Sequence, residues 1–208
     1  MNPATTRVLS ALVLLPVVLG IIWLLPPWGT HTMAVAAIGV AGAELWNMRG
    51  GRIPVWSVVW VGFPLLMLSE IREHFGPGVL MILLGTIIAS DSGQYYAGRT
   101  FGRHKLAPVI SPKKTVEGAI GGLIVGSGAA IILGRFWPIG LSDIAMAGVG
   151  LAMTVAGIAG DLFESHLKRN AGVKDSGNLI PGYGGILDRI DSWLFATPVF
   201  WCVLHFTR

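Results

Sequence analysis

Two stretches of this 208-residue chain combine residue types that can hold and move charge. In residues 160–191, Asp161 and Ser165 are four apart and Asp161 and Glu164 three apart, so a helix would set them on one face with Lys168. Asp188 and Asp191 are again three apart, just ahead of an apolar run. Carboxylates at two helix ends are hard oxygen donors of the kind Mg²⁺ takes, one or two acids being completed by water and substrate phosphates. The same acids would serve equally as solvated helix ends or as partners of Lys168, Arg169 and Arg189, and spacing alone leaves both readings open. Between them, Pro181-Gly182-Tyr183-Gly184-Gly185 is a turn whose backbone can come close to a ligand. Its N–H groups are placed either to form an anion-binding nest or simply to make a tight connector.

The second stretch, residues 91–117, contains Ser111-Pro112-Lys113-Lys114-Thr115. Ser at the N-cap with Pro at the first helical position predicts a helix start. Lysines in a first turn oppose the helix dipole. A bound polyphosphate would reverse that cost, and a layer of anionic lipid head groups would do the same.

These residues must be positioned by membrane helices. Hydrophobic residues make up 53% and charged residues 12%, about half the roughly 25% charge of soluble domains; mean hydropathy is +0.67. A soluble globular domain and a disordered chain are excluded, and long apolar runs without alternation exclude a barrel. Seven spans are predicted, over about 8–25, 32–48, 53–69, 75–90, 118–134, 144–160 and 193–206. The fourth is short for a bilayer, so a thinned, tilted or re-entrant segment is expected there. The first run is longer than a signal-peptide core and is followed by Pro26-Pro27-Trp28, so it reads as a retained helix. The fold class is therefore an all-α, polytopic helical membrane protein, with one membrane domain over 1–208: N-terminal spans in 1–90 and a catalytic portion in 91–208.

Sixteen of the charged residues fall within 91–117 and 161–191. With the N-terminus inside, twelve of the 15 Lys and Arg lie on the cytoplasmic side, leaving Arg72, Arg135 and Arg208 outside. Both charged segments then face the cytoplasm, where nucleotides are. The formal charge of +4 and pI near 9.6 are accounted for by this topology and by anionic ligands, with no nucleic-acid partner. The single Cys202 excludes a disulfide framework and a cysteine metal site. Gly118, Gly122 and Gly126 form a small-residue stripe for close helix packing. Glu44, near the end of the second span, is a site candidate by default, although one turn from the interface it would also snorkel. The five His show no ligand spacing, and no P-loop, Rossmann fingerprint or Ser/His/Asp arrangement is present.

At this point the motifs resemble a known family. Ser165-x-x-Lys168-Arg169, then Lys174-Asp175, then Pro181-Gly-Tyr-Gly-Gly-Ile-Leu-Asp188-Arg189-Ile-Asp191 is similar to the C-terminal signature of phosphatidate cytidylyltransferases. Asp91-Ser-Gly-Gln-Tyr-Tyr-x-Gly-Arg, Phe101-Gly-Arg-His-Lys-Leu and Ser111-Pro-Lys-Lys-Thr-x-Glu-Gly118 resemble the same family's other polar stretch. Tyr183 stands where the signature has His: it can donate a hydrogen bond but carries no positive charge. The chain is also shorter than the family leads one to expect, which points to missing N-terminal spans.

The resemblance implies transfer of the cytidylyl group of CTP to phosphatidate, giving CDP-diacylglycerol and pyrophosphate, with Mg²⁺ required. It implies catalytic roles for Asp161, Ser165, Lys168, Arg169, Asp188 and Arg189. Substrate contacts would fall to Asp91, Ser111, Lys113, Lys114, Thr115, Glu117, Lys174, Asp175, Tyr183, Gly184 and Gly185, and the metal to Asp161, Asp188 and Asp191. The implied setting is a bacterial inner membrane with the site facing the cytoplasm, and a homodimer is compatible with it. The alternatives are a related CTP-using membrane enzyme acting on another lipid phosphate or lipid alcohol, and a transporter or scaffold for anionic lipid.

Overall fold

The computed structural model describes residues 3–51, 55–181 and 183–207, with side chains from residue 12 onward except at 55. The side chain of Arg7 and residues Arg52, Ile53, Gly182 and Arg208, which enter the sequence reading, lie outside the described residues. The order is α1 (Pro3–Leu24), α2 (Pro27–Met48), α3 (Val55–Phe101), β1 (Lys105–Ala107), β2 (Ser111–Thr115), α4 (Val116–Phe136), α5 (Asp143–Asn170) and α6 (Leu187–Phe206). The described residues are 79% helical. Among the described residues, three helices are long and apolar enough to cross a bilayer: Trp56–Phe101, Val116–Phe136 and Asp143–Asn170.

The third and fourth predicted spans are the two parts of α3, which is interrupted at Gly76 (φ 87°, ψ 172°). Pro77 disfavours the α region for the residue before it, and only glycine takes that positive φ cheaply. The charged residues Glu70–His74, expected as a break, stay helical. Their charges find partners: Arg72 donates to the carbonyls of Ile22 (2.7 Å) and Leu25 (3.2 Å) at the end of α1, and Glu73 pairs with His31 at 3.3 Å. The fourth span is not short either. The helix runs on to Phe101, so Asp91–Arg99, expected in a connector, are helical.

A second correction concerns residues 111–115. They form β2, antiparallel to β1 with Lys105 opposite Thr115 and Ala107 opposite Ser111, so the expected helix start at Ser111-Pro112 is a strand. Pro112 biases Ser111 toward extended backbone, and in a two-stranded ribbon the missing N–H is tolerated. Helix α4 begins after Thr115, whose side chain accepts the Gly118 N–H at 3.1 Å as a true N-cap.

The chain forms two compact units, Met1–Pro77 with Leu167–Ile190 and Gly78–His166 with Asp191–Arg208. In the first, Ile22, Leu45, Leu68, Ile71 and Leu187 are buried. In the second, the predicted glycine stripe does what was expected of it. A Cβ on Gly118 would lie 2.8 Å from the Gln94 carbonyl, one on Gly122 would meet the Gln94 side chain, and one on Gly126 the Thr154 hydroxyl. Those contacts draw α4 against the second part of α3 and against α5. The opposite side of α4 carries Ile120, Ile124, Ile132 and Phe136, all exposed. An apolar stripe at four-residue intervals on a helix of this length belongs in lipid.

Candidate functional site

The two charged stretches contribute to a cluster of polar side chains in each unit. In the Gly78–His166 unit, one face of α3 presents Asp91, Gln94, Tyr95, Gly98 and Arg99 to a cavity of about 380 Å³, within the roughly 300–1,000 Å³ usual for ligand sites. Lys113, Lys114 and Thr115 of β2, Gly118 of α4 and Asp161 of α5 complete the wall. The hairpin delivers the lysines there in place of the expected helix turn. Lys114 Nζ lies 2.6 Å from Asp161 Oδ2, and the Ser165 hydroxyl donates to Asp161 Oδ1 at 3.3 Å, as their four-residue spacing predicts. Arg99 donates to the Tyr95 hydroxyl (3.0 Å) and Gln94 to Asp91 (3.0 Å).

Of the expected substrate contacts in residues 91–117, two do not line this cavity. Glu117 turns to the loop ahead of β1, accepting the backbone N–H groups of Arg103 (3.1 Å) and His104 (3.2 Å) and meeting His104 Nδ1 at 2.6 Å. Ser111 sits at the far end of β2.

The other cluster lies within Leu167–Ile190 and α2. Lys168 Nζ donates to Asp188 Oδ1 at 2.6 Å, both side chains almost wholly buried. Asp188 Oδ2 accepts from the Ser176 N–H (2.8 Å), the Ser176 hydroxyl (2.9 Å) and the Gly185 N–H (2.8 Å). Burial pushes the Asp188 carboxyl up, but the Lys168 ammonium and the Gly185 and Ser176 N–H groups outweigh it and hold it below the usual carboxylate value.

The glycine turn closes on itself through Ile180 and Gly184, each donating its N–H to the other's carbonyl, with Gly184 at φ 87°. A Cβ on Gly184 would stand 2.6 Å from Asp188 Oδ2. The expected nest is therefore occupied from within. The N–H of Gly185 goes to Asp188, and those of Ile186 (2.8 Å) and Leu187 (3.0 Å) go to Glu44. Gly185 is packed against Ser176 and Glu44, where a side chain has no room.

Beside the turn is a second, more polar hollow lined by Lys174, Asp175, Asn178, Tyr183, Gly184 and Arg189. The Arg189 guanidinium lies over the Tyr183 ring, 5.2 Å from its centre. Arg169, expected to be catalytic, donates to the Val173 carbonyl (2.9 Å) and ties down the end of α5.

Glu44 is the residue the sequence reading undervalued. It is 7% exposed, and the Ser176 hydroxyl reaches it at 2.8 Å in addition to the two N–H groups. Its only sequence signal is an ionisable residue in an apolar helix.

The three acids expected at a metal differ in fit. Asp188 already serves four protein donors and leaves little room for a cation. Asp161 and Asp191 are half-buried oxygen donors. They belong to one unit, where a Cβ on Gly160 would lie 2.5 Å from the Asp191 carbonyl, so α5 and α6 meet closely there. These two suit Mg²⁺, which needs few carboxylates. Among the described residues, no group of three or more His, Cys, Asp or Glu is gathered for a metal.

By its sequence the chain belongs to the Cytidylyltransferase family, whose sequence model matches residues 51–207 and so takes in both charged stretches. More particularly, it is similar to proteins named phosphatidate cytidylyltransferase. That of Staphylococcus aureus strain COL is 42% identical over 145 residues, 69% of this chain and 55% of that protein. Those of Staphylococcus saprophyticus and Staphylococcus epidermidis are 41% and 40% identical with the same coverage. The chain thus spans about half the length of the curated relatives it matches.

Proposed function

We propose that this chain transfers the cytidylyl group of CTP to phosphatidate, yielding CDP-diacylglycerol and pyrophosphate. The observation that carries the reading is the cavity in which Lys113, Lys114 and Arg99 face Asp91 and Asp161, in a member of the cytidylyltransferase family. Phosphatidate brings its own nucleophile. A phosphate oxygen of the lipid attacks the α-phosphorus of CTP, a new P–O bond forms, the bond to the β-phosphate oxygen breaks, and that electron pair leaves on pyrophosphate. No activated side chain is required. What the protein must provide is alignment and countercharge for the leaving group.

Lys113 and Lys114 are assigned to the triphosphate, with charge-assisted contacts to its oxygens. Lys174 and Arg189, beside the glycine turn, are assigned to an anionic group, and the Lys168–Asp188 pair to keeping that turn in place. Mg²⁺ would be held by Asp161 and Asp191, and when bound it neutralises phosphate charge. Seven crossings with the N-terminus inside would put both polar stretches at the cytoplasmic face of a bacterial inner membrane.

The test is pyrophosphate release by the purified full chain in phosphatidate-containing vesicles. Release should require both CTP and phosphatidate, and cytidine label should enter the lipid. Release without phosphatidate, or transfer of γ-phosphate label into lipid, would refute the reading in favour of another CTP-using activity.

A further inference from the structure

We propose that Glu44 is a positioning residue for the site: from α2, outside the stretch matched by the family, it fixes the N-terminus of α6 and through Ser176 fixes the Asp188 carboxylate. The kinetic part of this inference rests on the function proposed above; the structural part does not.

Glu44 Oε1 accepts the Ile186 N–H, and Oε2 accepts the Leu187 N–H and the Ser176 hydroxyl. The two backbone donors open α6, where a helix has N–H groups without intrahelical partners and where its dipole favours negative charge. Most helices meet that need from their own N-cap. Here the acceptor comes from more than 130 residues away in sequence. The Ser176 hydroxyl lies 2.8 Å from Glu44 and 2.9 Å from Asp188, so the two carboxylates are joined by one side chain. The glycines make room for this. A Cβ on Gly177 would stand 3.0 Å from Glu44 Oε1, and Gly185 has no space for one.

Without Glu44, the N–H groups of Ile186 and Leu187 lose their acceptor, and the Ser176 hydroxyl is left with Asp188 alone. The turn would then loosen around Asp188, while the cavity holding Lys113 and Lys114 keeps its own contacts.

Three readouts test this on the full chain in detergent or vesicles. In Glu44→Ala, amide hydrogen exchange in residues 183–190 should rise roughly tenfold or more, the scale of losing a charge-assisted hydrogen bond, with exchange in α4 unchanged. Turnover per folded molecule should fall by a similar factor while the KM for CTP stays within about threefold. Glu44→Gln, which keeps one carbonyl acceptor, should fall between, and it carries the comparison if Glu44→Ala does not fold.

Unchanged exchange in 183–190 would overturn the inference, as would normal turnover per folded molecule or a rise in CTP KM at constant kcat. If the wild-type chain releases no pyrophosphate, the proposed function fails on its own, and the exchange measurement still decides whether Glu44 holds the turn.

Discussion

Asp188 shows how far a carboxylate's partners can be read from its position in the chain. Its type, its spacing to Asp191 and its place before an apolar run are visible in the chain, and so is Lys168 as a candidate counterion. That Lys168 takes Oδ1 while two N–H groups and a hydroxyl take Oδ2 depends on how residues 174–186 fold back, which no spacing rule conveys. Glu44 was less legible still, because its three donors are distant in sequence. The Asp188 arrangement has a pH signature. Its folded pKa is lowered, so the stability it contributes is present above the unfolded carboxylate value near 3.9 and is lost as pH falls through the folded value. Asp188→Asn should leave the buried Lys168 ammonium without its countercharge, a loss of about 3–5 kcal/mol at neutral pH. The gap to wild type should begin to narrow below about pH 4, where the carboxylate of the unfolded chain protonates, and close only as pH falls through the lower folded value. Melting curves at pH 7 and at acid pH would show this; a gap independent of pH would contradict it.

Among the elements, the glycine stripe was readable and the hairpin was not. Small residues every four positions in a helix predict close approach from geometry alone. A short strand needs its partner to exist, and Lys105–Ala107 has no sequence mark that distinguishes it from a loop. The capping rule was right in kind, since a hydroxyl does cap α4, but Thr115 supplies it four residues beyond Ser111. Packing at the stripe separates two chemically identical substitutions. A Cβ on Gly122 would collide with the Gln94 side chain and sit 3.1 Å from the Ser90 carbonyl, whereas one on Gly128, off the stripe, has nothing within 4 Å. Gly122→Ala should therefore cost about 1–3 kcal/mol through overpacking. Gly128→Ala should be neutral or stabilising by up to about 1 kcal/mol, as expected for exchanging Gly for Ala in a helix. Thermal unfolding in detergent distinguishes them, and equal shifts for the two would show that the stripe does not set the helix spacing.

For the molecule as a whole, apolar composition made the membrane class plain, while the division into two units was hidden because each joins distant parts of the chain. Orientation is a separate matter, carried by charge. Nine of the 15 Lys and Arg lie in residues 91–117 and 161–191, and each basic residue beside an anionic cytoplasmic surface contributes about 1 kcal/mol. Reversing the chain would forfeit that attraction and carry both basic stretches across the hydrocarbon during insertion. The short connection at residues 137–142 between α4 and α5 contains no Lys or Arg, so it is the natural place for the outer face. The experiment starts from Cys202→Ser, since Cys202 is exposed and would otherwise react. Thr100→Cys, Ser142→Cys and Asn170→Cys each place one thiol at an exposed position without removing a charge. An impermeant maleimide added to intact cells should label Ser142→Cys, and should reach Thr100→Cys and Asn170→Cys only after the membrane is opened. Outside labelling at position 100 or 170 would place that polar stretch away from cytoplasmic CTP, and the proposed reaction would lose its nucleotide supply.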